Sequence, residues 1–253
     1  MNQPIDIASN YITVANGKTT NAWYKILLLG VLAGAFIALG GAIATVAGTA
    51  VGGTSAILVK GAVFPLGLML VVICGSELFT GNCLLVAPLL NRDIKVRGML
   101  KNWGLAYLGN FIGAVLIALL VVYSNTYSGN IGVAAVSLVA AKSELNFGVA
   151  LLKGILCNIL VCLAVWSAMA SKNAAGKILA VYLPVFAFVV CGFEHSVANM
   201  FYIMSAVMID GGAFNFGYAL LNGLLAPTIG NIIGGALIAV AFWVLYFKRT
   251  KNQ

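Results

Sequence analysis

The sequence predicts an all-α integral membrane protein of six transmembrane helices, arranged as an inverted repeat of three plus three with the second and fifth helices interrupted. Three observations lead to this expectation. The 253 residues are 62% hydrophobic and 8% charged, with a mean hydropathy of +1.05, whereas a soluble domain carries roughly 25% charged residues. Apolar stretches of about 20 residues or more, the length that crosses ~30 Å of hydrocarbon, recur along the chain. Two octapeptides inside these stretches share the skeleton G-x-E-x-x-x-x-N: Gly75-Ser-Glu77-Leu-Phe-Thr80-Gly-Asn82 and Gly192-Phe-Glu194-His195-Ser-Val-Ala-Asn199. A carboxylate and an amide kept twice at membrane depth, where unpaired polar groups are costly, point to transport.

Residues 1–25 read as a cytoplasmic segment. Met1 to Gly17 is polar, without the basic stretch, apolar core and small-residue cleavage site of a signal peptide, and predicts a surface helix. Apolar stretches follow near 26–48, 61–91, 103–123, 147–170, 178–209 and 224–247. The second and fifth are the longest and carry the octapeptides past their middles, which predicts broken helices. In the third span Gly109-Asn110-Phe-Ile-Gly113 matches Gly230-Asn231-Ile-Ile-Gly234 of the sixth. Residues 26–123 therefore repeat as 147–247 within a single channel domain spanning 1–253. Three spans per unit invert the second copy, an arrangement that places substrate near the midplane on discontinuous helices. The glycine pairs allow close helix approach. Residues 124–146 form an external segment whose Gly132 to Ala141 portion is too short to cross.

The net charge of +8 would suggest nucleic acid in a soluble protein, yet the basic residues cluster at span ends and report topology instead. Lys18, Lys25, Arg92, Lys95, Arg97, Lys101, Lys172, Lys177, Lys248, Arg249 and Lys251 fall on one side, Lys60 and Lys142 on the other. Both termini are thereby placed in the cytoplasm. The five cysteines lie in apolar stretches without a C-x-x-C pair and read as packing residues. A single histidine supplies neither a metal cluster nor bis-histidine haem ligation, and no nucleotide-binding loop is visible. No cofactor is expected.

Several residues are candidates for chemistry. His195 is the one titratable ring, exposed to a central cavity if the helix breaks there, against the plainer reading of a histidine satisfied by a backbone carbonyl. Thr80 has no hydroxyl counterpart, its equivalent being Val197, so it is expected to pair across the repeat with His195 or with substrate rather than only cap its own loop. Asn199 is read as pore-facing and Asn82 as structural. Glu77 and Glu194, present in both copies, are read as acceptors for backbone N–H groups freed at the breaks, with a proton relay as the competing role. Lys153 lies inside span four, about 9 Å from its start at 1.5 Å per residue, and is suited to an anion-collecting vestibule. Phe64, Leu68, Leu78, Phe79 and Phe188 flank the polar centre as candidate constrictions, although phenylalanines in membrane helices more commonly pack or face lipid.

These motifs resemble the formate/nitrite transporter family over nearly the whole chain: Gly75 to Asn82, Asn102-Trp103 through Gly109-Asn110, Lys153-Gly-Ile-Leu-Cys-Asn through Trp166, and Gly192 to Met200. The resemblance implies an aquaporin-like protomer, a homopentamer with one pore per protomer, and small monovalent anions as substrates, namely formate, nitrite, hydrosulfide and short carboxylates in a bacterial cytoplasmic membrane. The hydrosulfide channels are one branch in view. Carried over by position, the resemblance assigns the central histidine to His195, the loop threonine to Thr80, the asparagine to Asn199 and the vestibule lysine to Lys153. An aquaporin-like pore for water or small neutral solutes is the alternative within transport. An enzyme using Glu194 and His195 as acid and base is disfavoured, because adjacent helical residues point about 100° apart.

Overall fold

Helix α1 (Pro4–Thr20) opens the chain, its first turn tied by the Gln3 N–H donating to Asp6 Oδ2 at 2.9 Å. Ile7, Ala8, Tyr11 and Ala15 recur at helical spacing and are buried, so this expected surface helix lies with one face against the rest of the protein. The computed structural model describes residues 1–210 and 214–247, which form helices and turns and no strand. After α1 come α2 (Trp23–Val51), α3 (Ala56–Val63), α4 (Leu66–Cys74), α5 (Phe79–Asn82), α6 (Val86–Leu90), α7 (Val96–Tyr123), α8 (Asn130–Ser143) and α9 (Phe147–Ala170). Then follow α10 (Ala174–Val190), α11 (Ser196–Asp210), α12 (Phe216–Tyr218) and α13 (Ala226–Phe242), with π-helical turns at Ala219–Leu225 and Trp243–Phe247.

Among the described residues five helical runs are long and apolar enough to cross a membrane: Trp23–Val51, Ala56–Cys74, Val96–Tyr123, Phe147–Ala170 and Phe216–Phe247. The expected second stretch, 61–91, begins earlier, at Ala56, and is divided into Ala56–Cys74 and Phe79–Leu90; the expected fifth, 178–209, is divided into Ala174–Val190 and Ser196–Ile209. The third and sixth likewise start earlier than hydropathy alone indicates, at Val96 and Phe216, because Arg97, Lys101 and Asn102 interrupt the apolar run in one and Asn222 and Gly223 in the other. Lys248, Arg249 and Lys251, part of the charge count above, lie outside the described residues.

Both breaks fall inside the octapeptides. Gly75 ends α4 at φ +71° and Gly192 follows α10 at φ +65°. This left-handed backbone is open to glycine and strained for other residues. The helix axis therefore stops within each octapeptide, and α5 and α11 restart from Leu78 and His195.

Two tightly apposed pairs frame the breaks. α2 crosses α7 and α9 crosses α13. A Cβ on Gly113 would overlap the Val31 carbonyl oxygen, and one on Gly234 that of Ile155, so these G-N-x-x-G glycines set the distance at which the backbones meet. α8 is too short to cross and packs on α11, with Val139 and Ile203 in a shared apolar cluster. Of the cysteines expected to pack, Cys83, Cys157 and Cys162 are buried, while Cys74 and Cys191 are exposed at the ends of α4 and α10.

Candidate functional site

Where a helix stops in an apolar environment, its first N–H groups and the carbonyls before them need partners. The sequence points to Glu77 and Glu194 for that task. The structure gives it to the asparagines of the G-N-x-x-G motifs. Asn110 Oδ1 accepts from the Phe79 N–H at 2.9 Å, while its amide donates to the carbonyls of Glu77 (2.9 Å) and Gly30 (2.8 Å). Asn231 repeats the pattern, accepting from Ser196 N–H at 2.9 Å and donating to the carbonyls of Glu194 (3.0 Å) and Gly154 (2.8 Å). An amide both donates and accepts, which an ionised carboxylate cannot do; that is why asparagine fits a site with one free N–H and one free C=O. In the sequence both asparagines belong to the G-N-x-x-G packing motifs, and their recurrence at nearly the same offset from the two octapeptides is the signal for this role.

The carboxylates take other partners. Glu77 Oε2 accepts from Lys18 Nζ (3.0 Å), Asn82 (2.7 Å) and Asn102 (3.0 Å). Glu194 Oε2 accepts from Lys142 Nζ (2.6 Å) and Asn199 (2.7 Å). Each buried negative charge is thus paired with a lysine and hydrogen-bonded, the condition under which a buried charge is tolerated. Lys18 comes from α1 and Lys142 from α8, elements with no sequence proximity to the octapeptides, and hydropathy reads both only as topology markers. Asn82 and Asn199, for which the sequence suggests unlike roles, occupy matching positions beside their glutamates. The second Asn199 proton goes to the Gly223 carbonyl at 2.6 Å. In α-helical register that carbonyl would accept from residue 227, which is a proline without an N–H.

Thr80 Oγ1 and His195 Nε2, one from each break, lie 3.0 Å apart, with the two residues 0% and 3% exposed. His195 Nδ1 accepts the Ala198 N–H at 3.1 Å, capping α11. A backbone N–H only donates, so Nδ1 carries no hydrogen and the neutral ring bears its proton on Nε2. Nε2–H then donates to Thr80 Oγ1, and the threonine hydroxyl hydrogen is left to turn toward another acceptor. A second ring proton, on Nδ1, has to displace the Ala198 bond.

Two cavities with no lining residue in common approach this pair. One, of about 600 Å³, is lined by Lys18, Lys25, Lys177 and Glu77 together with Leu68, Leu78 and Asn82; α1 contributes Tyr11, Val14 and Gly17 to its wall. The other, of about 460 Å³, is lined by Lys60, Lys142, Lys153 and Glu194 with Phe64, Phe188, His195 and Asn199. Along α3 and α4 the lining passes from Phe64 in one cavity to Leu68 in the other, a step of about 6 Å at 1.5 Å per residue. Phe64 meets Phe188 edge-on at 5.7 Å, and Phe188 stacks on the His195 ring at 5.9 Å. Phe79 lines neither cavity: it is buried against Trp103 and Tyr107. Val165, which hydropathy does not distinguish, lines the larger cavity with Leu68 and Leu78.

The comparisons with known proteins agree with this architecture. The formate/nitrite transporter family matches residues 5–246. The chain is 39% identical to a probable formate transporter of Methanothermobacter thermautotrophicus, with 97% of each chain covered, and 35% identical to the formate channel FocA of Escherichia coli K12, covering 93% of this chain and 91% of that one. It is 38% identical to the uncharacterized transporter YrhG of Bacillus subtilis over 99% of this chain and 96% of that one. Among solved structures, an FNT family ion channel superposes with a TM-score of 0.86 at 30% identity, covering 96% of this chain and 98% of that one. A pentameric formate channel with formate bound gives 0.81 at 31% identity over 89% and 98%. With the match running nearly end to end and the twin broken helices in place, this chain belongs to the formate/nitrite transporter family.

Proposed function

We propose that the protein is a channel for small monovalent anions, formate foremost, in the cytoplasmic membrane, with no enzymatic step of its own. The observation that carries this reading is the pair of lysine-lined cavities with an apolar wall between them, Phe64 and Phe188 on one side and Leu68 and Leu78 on the other, beside the buried contact of Thr80 with His195. Formate comes first because the similar proteins above are named for it; nitrite, hydrosulfide and other short carboxylates follow from the shared charge and size. The domain is read as six spans in an inverted repeat, 26–123 and 147–247, behind a cytoplasmic segment 1–25, and the pentameric neighbour supports a homopentamer. Lysine placement supports both termini lying inside.

In this mechanism Lys153 raises the local anion concentration in the smaller cavity. The anion then meets Phe64 and Phe188 on that side of the wall, and Leu68 and Leu78 on the other. At the wall the Thr80 hydroxyl hydrogen, released by the His195 Nε2–H bond, replaces part of the lost hydration. A bare charge is costly in so dry a place, so protonation of the anion beside His195 lets a neutral acid cross. Because His195 yields a proton only after Nδ1 gives up Ala198, the supply of that proton is the step at which pH acts.

The test is stopped-flow uptake of formate, nitrite and hydrosulfide into proteoliposomes across pH 5 to 8, for wild type and His195→Phe, with current recorded in parallel. Selective uptake with proton movement in excess of current, and a changed pH profile in the variant, is the expected result. Unchanged pH-dependent flux in His195→Phe would end the proton-transfer reading, and conduction of water without anion would favour the neutral-solute pore.

A further inference from the structure

The smaller cavity contains three lysines, but only one is compensated. Lys142 is committed to Glu194 at 2.6 Å. Lys60 and Lys153 have no ion-pair partner among the described residues. Lys153 is accounted for above; Lys60, at the outer end of the α3–α4 run, is read by hydropathy only as a topology marker.

The packing of its stem says more. A Cβ placed on Gly48 of α2 would meet Lys60 Cγ at 2.7 Å and Cδ at 3.0 Å and overlap Cε, and these three stem atoms are its nearest neighbours. The lysine stem therefore lies along a slot that exists because residue 48 has no side chain. Three methylenes held against a helix backbone lose rotamer freedom, and a lysine that merely marked a loop for topology would have no need of such a slot. Thr45 and Ala44, one turn away on α2, line the same cavity as Lys60, so the slot runs along the cavity wall.

We propose that Gly48 guides Lys60 into the mouth of the smaller cavity, where it acts with Lys153 as a second collecting cation for small monovalent anions such as carboxylates. This rests on the anion-channel reading. Gly48 is a positioning residue, acting only through Lys60. The effect is one of long-range attraction, greatest at low ionic strength, where the Debye length is about 30 Å at 0.01 M, and nearly gone at 1 M, where it is about 3 Å.

The experiment measures initial formate uptake into proteoliposomes at subsaturating formate, at about 0.01 M and about 1 M ionic strength. At low salt Lys60→Met is expected to slow uptake about two- to threefold, the effect of one unit charge acting through water at several ångströms, and to match wild type at high salt. Lys60→Arg keeps the charge and the rate. Gly48→Ala is expected to show the same salt-dependent slowing, and Gly48→Ala combined with Lys60→Met to be no slower than Lys60→Met alone. Equal rates for Lys60→Met and wild type at low salt overturn the proposal, as does a slowing that persists undiminished at high salt, which would mark a structural defect. Wild-type rates in Gly48→Ala, or a further loss in the double variant, overturn the guiding role of the glycine. Absence of anion uptake by wild type itself would refute the channel reading and this inference with it, an outcome distinct from all the others.

Discussion

Replacing Asn231 by alanine removes the partners of two buried backbone groups at the second break, the Ser196 N–H and the Glu194 carbonyl, which have no other hydrogen bond among the described residues. The third partner, the Gly154 carbonyl, lies within α9 and keeps its place in that helix's own ladder. An unsatisfied buried donor or acceptor costs about 1–3 kcal/mol, so two of them cost about 2–6 kcal/mol, a large share of an ordinary folding stability of about 5–15 kcal/mol. Water cannot repair the loss easily, since Asn231 is 0% exposed and Ser196 equally so. The fitting control is Asn173→Ala. Asn173 also caps a helix, accepting the Gly176 N–H at 2.8 Å, but it does so in an exposed turn where water substitutes, and a cap of this kind contributes about 1 kcal/mol. Thermal challenge of detergent-purified protein followed by size exclusion reads both. On the scale of about 2–4 °C per kcal/mol for a chain of this size, Asn231→Ala is expected to lower the midpoint by on the order of 10 °C and Asn173→Ala by a few degrees. Asn231→Asp is a sharper probe: it keeps an acceptor for Ser196 N–H yet sets a carboxylate against two carbonyls, and is expected to be at least as damaging as alanine. An Asn231→Ala midpoint no lower than that of Asn173→Ala would show that the break finds its partners elsewhere and would refute the assignment.

Three further outcomes follow from the same geometry. Lys142→Met strands the Glu194 carboxylate and is expected to destabilise by about 3–5 kcal/mol, with most of the loss recovered in Lys142→Met combined with Glu194→Gln, measured by the same thermal assay. Gly234→Val drives a side chain into the Ile155 carbonyl where α9 meets α13 and is expected to abolish the monodisperse assembly on size exclusion, whereas the same change at Gly104, with open space around it, leaves the profile intact. Thr80→Val keeps the shape and removes the hydroxyl, so anion uptake is expected to fall at least tenfold with the assembly unchanged; wild-type flux in that variant would remove Thr80 from the pathway.

The legible part of this protein was local. Long apolar runs set the spans because a helix must satisfy its own backbone in lipid, and the glycine at the head of each octapeptide marked where it could stop doing so. The nearly equal offsets of Asn110 and Asn231 from the two octapeptides pointed to a repeat. Even the contact of Thr80 with His195 was within reach, since the two copies differ there and an unmatched hydroxyl and an unmatched ring invite a pairing.

What only the tertiary structure decided was the partner of each buried charge and amide. Lys18 is 59 residues from Glu77, Lys142 is 52 from Glu194, and Asn231 is 37 from the carbonyl it holds. Hydropathy ranks all of these as loop or packing residues, because it registers the cost of burial and not the partner that offsets it. The same limit applied to Phe79, whose sequence neighbours suggested a constriction while Trp103 and Tyr107 drew it away from both cavities. Composition and period determine which segments enter the bilayer and where they break, since those depend on the chain's own backbone. The pairing of polar groups inside depends on which helices the glycine contacts bring together, and that is settled only when the chain is packed in three dimensions.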